Sequence, residues 1–455
     1  MFHRVVTGIS LLGLFAACGK ADNGASGAPG GDPNGGGGTP PPPPSTSACS
    51  EPPKALTFIR EGRRSTPVDG KGELVVVPDT AAMSTFVSVT EGTDFCNYQV
   101  CLLTPDRSRL IYVKNNGAAD QLFSAPVQND KVDATASAQV LLSAKLTKAA
   151  EVVLDPPARR VYFYEENAQS PLAVDLKSAP VEGGAVTVVR AGLGLGAVFN
   201  VAKDGATIAI GDVNSLGRCS TVMIASADGR NAIPLRIVRS KEEGNPKAQI
   251  EKLALTPQGD AIYVFINIDN VNHMLLVKTD GSDFAGGQRD CEDVQTQPSA
   301  IPSRIIGRLP CPIKVSTDNI CRIHSELFVS RDGNTVYFLG GNDYPNQHAQ
   351  FAEIFSMPRG LTGVTRLTES EGPYGGGRNV EWPMEDVDLS PDRCNLIYSS
   401  DIPYTLTYNG REVAPRTTDD REVWTRPLTG DVRTPLMLTN DYQWIARHPR
   451  YLVQP

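Results

Sequence analysis

A short motif that recurs along the chain sets strong limits on its fold. Each copy consists of an apolar run, a turn rich in Ser, Thr, Pro, Asp and Gly, and a second apolar run that often contains Tyr. The copies begin at Cys101, Val152, Phe199, Leu253, Leu327, Val387 and Ile445, and the last one is truncated. Turns such as Asp332-Gly333 supply the positive φ angles of a tight β-hairpin. A repeat of about 50 to 75 residues predicts an array of similar sheets.

Further strand-like runs fill the intervals, such as 353–357 followed by 365–368, so each repeat predicts a four-stranded antiparallel sheet. An isolated sheet of this kind has two apolar faces and must stack on others, and radial stacking gives a β-propeller. The number of repeats therefore favours an all-β fold with seven blades. A propeller of six blades with an N-terminal cap is the alternative.

The two ends of the chain are predicted to share one blade. The last motif copy has little more than one strand before Pro455, which leaves its sheet with an open edge. Three strand-like runs near the other end suit the missing strands: Ala55–Ile59, Glu73–Val77 and Ser84–Val89. We therefore expect N-terminal and C-terminal strands to close the last blade together.

Several of the turns resemble the repeat of the TolB family, which reads roughly Ser-Pro-Asp-Gly, then an apolar strand and, later, Leu-Thr. The matching residues are Ser390-Pro391-Asp392, Thr104-Pro105-Asp106, Ser330-Arg331-Asp332-Gly333, Leu367-Thr368 and Leu438-Thr439. The resemblance covers about residues 95–455 and implies a propeller of WD-like repeats. The TolB family has six blades behind a separate N-terminal domain, whereas the repeats of this chain favour seven blades without such a domain. Since propellers support many roles, the resemblance implies a fold and no particular activity.

The N-terminal segment 1–17 has the anatomy of a secretory signal peptide, with a basic residue near the start and an apolar stretch before Cys18. Leu14–Cys18 resembles the bacterial lipoprotein box, although Phe15 stands where that box prefers Leu. The resemblance implies that Cys18 is lipidated. By resemblance to Gram-negative lipoproteins, Gly19 favours the outer membrane. An ordinary signal peptide followed by an unrelated Cys is the alternative.

Residues 18–50 are rich in Gly and Pro and predict a linker that lacks a core of its own. The linker is expected to hold a propeller domain, residues 51–455, away from the membrane. The sequence leaves both the periplasmic and the cell-surface side of the outer membrane open.

Nine Cys occur in the chain. Without Cys18 an even number remains, and a chain that leaves the reducing cytosol can form disulfides. Closeness in sequence favours the pairs Cys96–Cys101 and Cys311–Cys321.

Charge and motif content argue against several functions. The chain has 43 Lys and Arg against 51 Asp and Glu, a net charge of −8, which disfavours a nucleic-acid partner. The sequence contains no G-x-S-x-G nucleophile elbow, no phosphate-binding Gly loop and no Cys/His zinc motif. It therefore assigns no catalytic residue and no cofactor.

Equivalent positions in a radial repeat form a ring around the axis. Charged or titratable residues near the start of the motifs are Glu151, Lys252, His324, Glu326, Asp386 and Asp388. We expect these six side chains to line one mouth of the central channel, where they could bind a cation or a sugar or act as acid and base. A solvated rim without a binding role is the alternative.

The longest interval between aligned turns contains residues 280–323, which carry three Cys and suit partner recognition. The sequence favours a non-enzymatic scaffold, anchored in the outer membrane, that binds a protein or polysaccharide through the channel mouth and this loop. The alternative is a secreted glycan lyase or hydrolase that uses the acidic ring, with a divalent metal as its cofactor.

Overall fold

The computed structural model describes residues 55–62, 72–77, 87–91, 95–96, 100–147, 151–155, 157, 159–213, 219–239, 248–268, 271–282, 306–308, 321–323, 327–342, 351–361, 364–367, 385–390, 393–401, 406–408, 411–413, 421–428, 436–437 and 444–452. The chain divides into two units, Met1–Ser47 and Ala48–Pro455, and all of these residues belong to the second. The predicted signal peptide, the proposed lipid site Cys18 and the Gly/Pro-rich linker therefore lie outside the described residues.

The described elements are β-strands, and we group them by the sequence repeat to which they belong. The strands before the first repeat are β1 (Leu56–Gly62), β2 (Glu73–Val77) and β3 (Val87–Ser88). Repeat 1 has β4 (Cys101–Leu103), β5 (Arg109–Asn115), β6 (Asp120–Gln128), β7 (Lys131–Val132) and β8 (Val140–Thr147). Repeat 2 has β9 (Val153–Leu154), β10 (Arg160–Glu166), β11 (Ala173–Pro180) and β12 (Thr187–Gly194). Repeat 3 has β13 (Val198–Val201), β14 (Thr207–Val213), β15 (Cys219–Ser226) and β16 (Ile233–Arg239).

The second half of the chain continues the pattern. Repeat 4 has β17 (Ala248–Leu255), β18 (Ala261–Ile268), β19 (Val271–Lys278) and β20 (Ile306–Arg308). Repeat 5 has β21 (Cys321–Ile323), β22 (Phe328–Val329), β23 (Thr335–Asn342), β24 (Phe351–Pro358) and β25 (Thr365–Arg366). Repeat 6 has β26 (Glu385–Leu389), β27 (Asn395–Asp401), β28 (Leu406–Tyr408), β29 (Arg411–Val413), β30 (Arg421–Pro427) and β31 (Leu436–Met437), and the last strand is β32 (Trp444–Tyr451).

Neighbouring strands pair antiparallel in every ladder of the described residues, so the predicted all-β fold is confirmed. Repeats 3 and 4 each form a four-stranded sheet in chain order. Repeat 5 adds a divided first strand, because β21 and β22 both pair with β23. In repeat 6 the small hairpin β28–β29 stands apart from the sheet β26-β27-β30-β31.

Repeats 1 and 2 join in one nine-stranded sheet. The end of β8 pairs with β10 through Thr147↔Tyr164 and Leu146↔Glu165, next to the place where β9 pairs with the same strand. The last strand of repeat 1 (β8) therefore lies beside β10 together with β9, the first strand of repeat 2. The sequence motif does not predict this merger, because β8 lies in the variable interval between two motif copies.

The two ends of the chain lie in one sheet, with the order β3-β2-β1-β32. The β1–β32 register runs from Leu56↔Tyr451 to Gly62↔Trp444, and the Leu452 amide donates to the Ala55 carbonyl at 3.2 Å. We call these four strands the terminal sheet. Its strands come from the regions that the sequence predicts would pair.

A repeated network of side-chain hydrogen bonds builds the turn between the first two strands of a repeat. The Thr104 hydroxyl donates to Asp106 Oδ1 at 2.6 Å and accepts the Arg109 amide at 3.0 Å. The second contact recurs at Thr256, Ser330 and Ser390. In repeat 2 the carboxylate of Asp155 replaces the hydroxyl and accepts the Arg160 amide at 2.8 Å. Side chains that mimic the backbone in this way stabilise the turns that the motif predicts.

One turn position adopts the left-handed conformation in five repeats. It is occupied by Arg107 (φ 57°), Gly205 (φ 67°), Gly259 (φ 69°), Gly333 (φ 73°) and Arg393 (φ 59°). Glycine adopts this conformation without steric cost, whereas a side chain there stores strain. Three repeats therefore have the expected glycine at this position, whereas the other two hold an arginine in a strained conformation.

Replacing Arg107 with glycine is expected to raise the free energy of unfolding by about 0.5 kcal/mol, since relief of left-handed strain outweighs the greater entropy of the unfolded chain. The 3.7 Å ion pair of Arg107 with Asp130 is partly exposed and contributes little. Urea unfolding of the purified protein measures the change. Arg107→Ala is the control, because it removes the same ion pair but keeps a Cβ; an equal gain in both variants would contradict the strain argument.

Seven apolar clusters of described residues lie between the sheets, and each takes its members from two groups of strands. Successive repeats share the clusters centred on Phe163 (repeats 1 and 2), Phe199 (2 and 3), Ile262 (3 and 4), Phe338 (4 and 5) and Leu396 (5 and 6). The terminal sheet shares one cluster with repeat 6 and another with repeat 1. Each group of strands therefore buries apolar side chains against two others, which is the dominant favourable term in folding.

The predicted disulfide Cys96–Cys101 is confirmed. Cys394 is also disulfide-bonded. Cys311 lies outside the described residues, so its pairing with Cys321 stays a prediction.

Candidate functional site

Antiparallel pairing brings corresponding parts of each repeat to the same end of its sheet. The first strand begins, the second ends, the third begins and the fourth ends at one end, which we call the mouth edge. The turns that contain Asp106 and Asp332 lie at the opposite end of their sheets. Residues just before a first strand or just after a second strand therefore belong to the mouth edge.

The structure describes three of the six residues that the sequence places at the channel mouth. Glu151 precedes β9, Lys252 lies in β17 and Asp388 lies in β26, and each is half-buried. Asp388 Oδ1 accepts the amide of Leu389 at 2.8 Å. All three side chains take part in polar interactions, so they form part of the folded structure.

The other three residues fall outside what the structure describes. Asp386 lies in β26, but its side chain is not among the described ones, and His324 and Glu326 lie between β21 and β22 outside the described residues. The convergence of all six residues at one mouth therefore stays a prediction. Most of the Cys-rich interval 280–323 lies outside the described residues as well.

First strands of neighbouring repeats lie against each other. β13 contacts β17, β17 contacts β22, and β26 contacts β32. A side-chain bond links the first pair, since Asn200 Oδ1 in β13 accepts the amide of Leu255 in β17 at 3.0 Å. Asn200 stands four places before its turn, the same repeat position as Asp388. The first strands of repeats 3 and 4 are thus joined directly, by packing and by this hydrogen bond.

The same repeat position is apolar in other repeats, where it holds Leu102, Val153, Ala254 and Phe328. Val153 is exposed, and Leu102 and Phe328 are half-buried. The first strands therefore present aliphatic and aromatic side chains beside the charged ones, a mixture that suits a partner with both apolar and polar groups.

A polar cluster links repeats 1 and 2 near the mouth edge. The buried Ser143 hydroxyl in β8 donates to Glu165 Oε1 at 2.5 Å, and Lys177 Nζ forms an ion pair with the other oxygen of the same carboxylate. Glu165 and Lys177 are both half-buried, so removing one partner would leave the other without its counter-charge. The three residues come from three strands, and no motif in the sequence indicates their contact.

Two exposed leucines form an apolar pair at the mouth edge of repeat 2. Leu172 is 75% exposed and precedes β11, and Leu195 is 52% exposed and follows β12. The register Ala173↔Gly194 pairs the residues adjacent to them, so both leucines lie at the same end of the β11–β12 ladder. Their segments, 167–172 and 191–197, contain no charged residue. We call Leu172 and Leu195 the rim leucines.

Hydrogen bonds to one carboxylate hold the two segments of the rim leucines together. Asp175 Oδ1 accepts the side-chain amide of Asn167 at 2.7 Å and the backbone amide of Gly192 at 3.0 Å. One carboxylate oxygen therefore ties the loop before β11 to the end of β12. An apolar pair on a braced edge is preorganised for contact, because little freedom is lost when a partner binds.

The rim leucines were not predicted from the sequence. In the sequence, Leu172 and Leu195 are ordinary members of strand-flanking loops, and only the strand register shows that they lie at the same end of one ladder. The absence of charge in both segments is the one sequence signal that could have drawn attention to them.

Among the described residues, no group of three His, Cys, Asp or Glu side chains is arranged to hold a metal ion. The described residues also contain no helix that is long and apolar enough to cross a lipid bilayer.

Comparisons with known proteins find structural neighbours of this chain but no relative in sequence. No protein-family model matches it, and no curated protein matches it in sequence. Solved structures similar to it include the tricorn protease, at 10% identity and a TM-score of 0.48 over 88% of this chain and 36% of that one. TolB from Acinetobacter baumannii gives 13% identity and a TM-score of 0.38, covering 76% and 67% of the two chains. Oligogalacturonate lyase from Vibrio parahaemolyticus gives 13% and 0.44, covering 76% and 88%.

The chain spans about a third of the length of the tricorn protease. At these identities and scores the likenesses say nothing about activity, substrate or partner. The strand pairing defines the class, an all-β protein of repeated antiparallel sheets with propeller proteins among its structural neighbours.

Proposed function

We propose that residues 51–455 form a closed β-propeller of seven blades, in which repeats 1 to 6 are six blades and the terminal sheet is the seventh. The seven apolar clusters support this proposal, because they link each blade to the next and the terminal sheet to both repeat 6 and repeat 1. Contacts between successive first strands support it too, since first strands surround the axis of a propeller.

We propose further that the propeller is tethered to the outer membrane by a lipid on Cys18. The lipoprotein-like sequence Leu14–Cys18 and the Gly/Pro-rich residues 18–50 support an anchor followed by a spacer. Residues 18–50 have few apolar side chains to bury, as a spacer between an anchor and a folded domain would.

The tethered propeller is proposed to act as a binding scaffold at its mouth edge. The observation that carries this proposal is the pair of rim leucines, which lie in two segments without a charged residue that the Asp175 carboxylate ties together. Exposed apolar side chains that are fixed in place are typical of interaction sites, where they form the centre of the contact. The half-buried Glu151, which precedes the first strand of the same repeat, would supply a polar contact at this edge.

A protein partner fits this edge better than a polysaccharide. In the described part of the chain the exposed large hydrophobic residues are all aliphatic, namely Leu141, Val153, Leu172, Val186, Val188, Leu195 and Ile233. Sugar rings bind well to aromatic faces, whose negative potential attracts polarised C–H groups. Aliphatic side chains instead match the apolar residues of a protein surface.

A photo-crosslinking experiment tests the proposal. The full-length protein, carrying a photo-reactive residue in place of Leu172 or Leu141, is irradiated in intact cells and its adducts are identified by mass spectrometry. Leu141 is 48% exposed near the start of β8, at the end of the sheet opposite the mouth edge, and is the matched control. We expect one protein adduct from position 172 and none from position 141.

The identified partner is then titrated against purified Leu172→Ser and Leu141→Ser variants. Loss of an apolar contact at the centre of an interface is expected to weaken binding by Leu172→Ser about tenfold or more, and Leu141→Ser is expected to bind as the wild type does. Equal crosslinking at both positions, or turnover of a polysaccharide by the purified protein, would refute the scaffold role.

A further inference from the structure

The Cys96–Cys101 disulfide lies beside the pairing of β1 with β32, which connects the two ends of the chain and which we call the joint. Both sulfur-bearing residues belong to the apolar cluster that the terminal sheet shares with repeat 1, together with Ile59, Leu74 and Leu452. Cys96 is 2% exposed and Cys101 is 6% exposed. The bond is therefore enclosed by side chains from the N-terminal strands, from the C-terminal end and from the first repeat.

The backbone at Cys96 fits closely against the terminal sheet. A Cβ added at Gly72 would lie 2.7 Å from the Cys96 carbonyl oxygen and 2.9 Å from Cγ2 of Ile59. Such distances leave no room for a side chain, so glycine permits the close approach of the two segments. The segment that contains Cys96 and precedes β4, which we call the connector, therefore packs directly against the strand pair β1–β2.

The residue before Cys96 joins this connector to repeat 1. The ring of Phe95 stacks on that of Tyr112 with centroids 4.2 Å apart, and Lys114 Nζ lies 4.6 Å from the Phe95 centroid. Tyr112 and Lys114 both donate to Oε1 of Gln139, at 2.7 and 3.3 Å. The segment that contains the disulfide is therefore held on one side by the terminal sheet and on the other by β5.

We propose that the Cys96–Cys101 disulfide is a latch on the joint between the chain ends, and that a dithiol reductant opens it only after the joint has separated. In the reaction a thiolate of the dithiol attacks one sulfur and forms a mixed disulfide, and the second thiol then displaces the protein. Cys96 and Cys101 gain two electrons and two protons, and the dithiol leaves as its own disulfide. The proposal rests on the pairing of β1 with β32 and is independent of the binding role.

Burial explains why opening comes first. Thiol–disulfide exchange needs a nearly linear approach of the attacking thiolate to a sulfur, and both cysteines are enclosed in the closed joint. The rate of reduction then reports the fraction of molecules with an open joint. Reduction in turn frees the connector, so that the terminal strands separate more often than before.

The rate of reduction by dithiothreitol tests the proposal, with differential alkylation and mass spectrometry at Cys96 and Cys101 as the readout. Leu452→Ala weakens the joint from the C-terminal side and is expected to speed reduction about tenfold or more. Leu253→Ala is the matched control, because Leu253 is equally buried in the cluster between repeats 3 and 4. It is expected to leave the rate unchanged, and Leu452→Val serves as a milder variant of the joint.

Equal acceleration by Leu452→Ala and Leu253→Ala would overturn the proposal, because reduction would then follow global unfolding. Reduction at the wild-type rate in both Leu452 variants would also overturn it, because the reductant would then reach the bond in the closed joint. Hydrogen exchange after reduction provides a second test. Amides of β1 and β32 are expected to exchange about tenfold faster, with those of β17 and β18 unchanged, and a uniform change would contradict the latch.

Discussion

Replacing Tyr263 with alanine is expected to lower the free energy of unfolding by about 3–5 kcal/mol. Tyr263 lies in β18 with 0% exposure, in the apolar cluster that joins repeats 4 and 5. Its hydroxyl donates to the carbonyl of Gly333, in the turn of the next repeat, at 3.2 Å. The substitution therefore leaves a cavity between two sheets and removes a bond between them. Urea unfolding monitored by circular dichroism measures the change.

Tyr263→Phe separates the two contributions. The ring stays in place and only the hydroxyl is lost, so the expected decrease is about 1 kcal/mol. If alanine and phenylalanine had equal effects, the hydrogen bond to Gly333 would carry the interaction and the packing argument would be wrong. A change in the slope of the urea transition would indicate that the two sheets unfold separately.

The sequence predicts much of the fold because the information is local. The Thr104 and Ser330 turns are defined by side chains within five residues of each other, and the alternation of apolar residues defines the flanking strands. The pairing of the chain ends followed from an unfinished last motif and three spare strand-like runs. Because the motif repeats, contacts between residues far apart in the chain can be predicted by comparing similar segments.

Other features of the fold do not repeat and could not be predicted. The ladder between β8 and β10 depends on the path of one connection, and the carboxylate of Asp155 replaces a hydroxyl in one turn. Similarly, the Glu165–Lys177 ion pair joins residues of neighbouring strands that no motif relates. Such contacts arise from the three-dimensional course of the chain rather than from its periodicity.

The candidate site likewise contains some residues that the repeat predicts and others that it does not. Alignment of the repeats places Glu151 and Lys252 at one repeat position and Asp388 two places nearer its turn, and all three are half-buried in or beside first strands. The rim leucines escaped prediction because exposure depends on what covers a side chain. The hydrophobicity of a leucine in a strand-flanking loop favours burial, and only the structure shows that Leu172 and Leu195 are exposed.

Raising the pH from 10 to 12 is expected to destabilise the protein by several kcal/mol. Burial raises the pKa of Tyr263 and of Tyr337 to about 12, and it raises the pKa of Tyr112 and Tyr162 as well. In the unfolded chain a tyrosine ionises near pH 10. Below pH 10 both states are protonated and the stabilisation is fully present. As the pH rises towards 12, the unfolded state loses its protons first, so unfolding becomes more favourable.

The difference of about two pH units corresponds to roughly 2 kcal/mol for each of Tyr263 and Tyr337. Urea unfolding at several pH values between 8 and 12 measures the loss, and ultraviolet difference absorption follows tyrosinate formation in the same samples. Tyr337→Phe is the control, because it removes one of these ionisations and keeps the buried ring. The variant is expected to lose about 2 kcal/mol less than the wild type over this range. An identical pH dependence in both proteins would show that groups other than the buried tyrosines cause the alkaline unfolding.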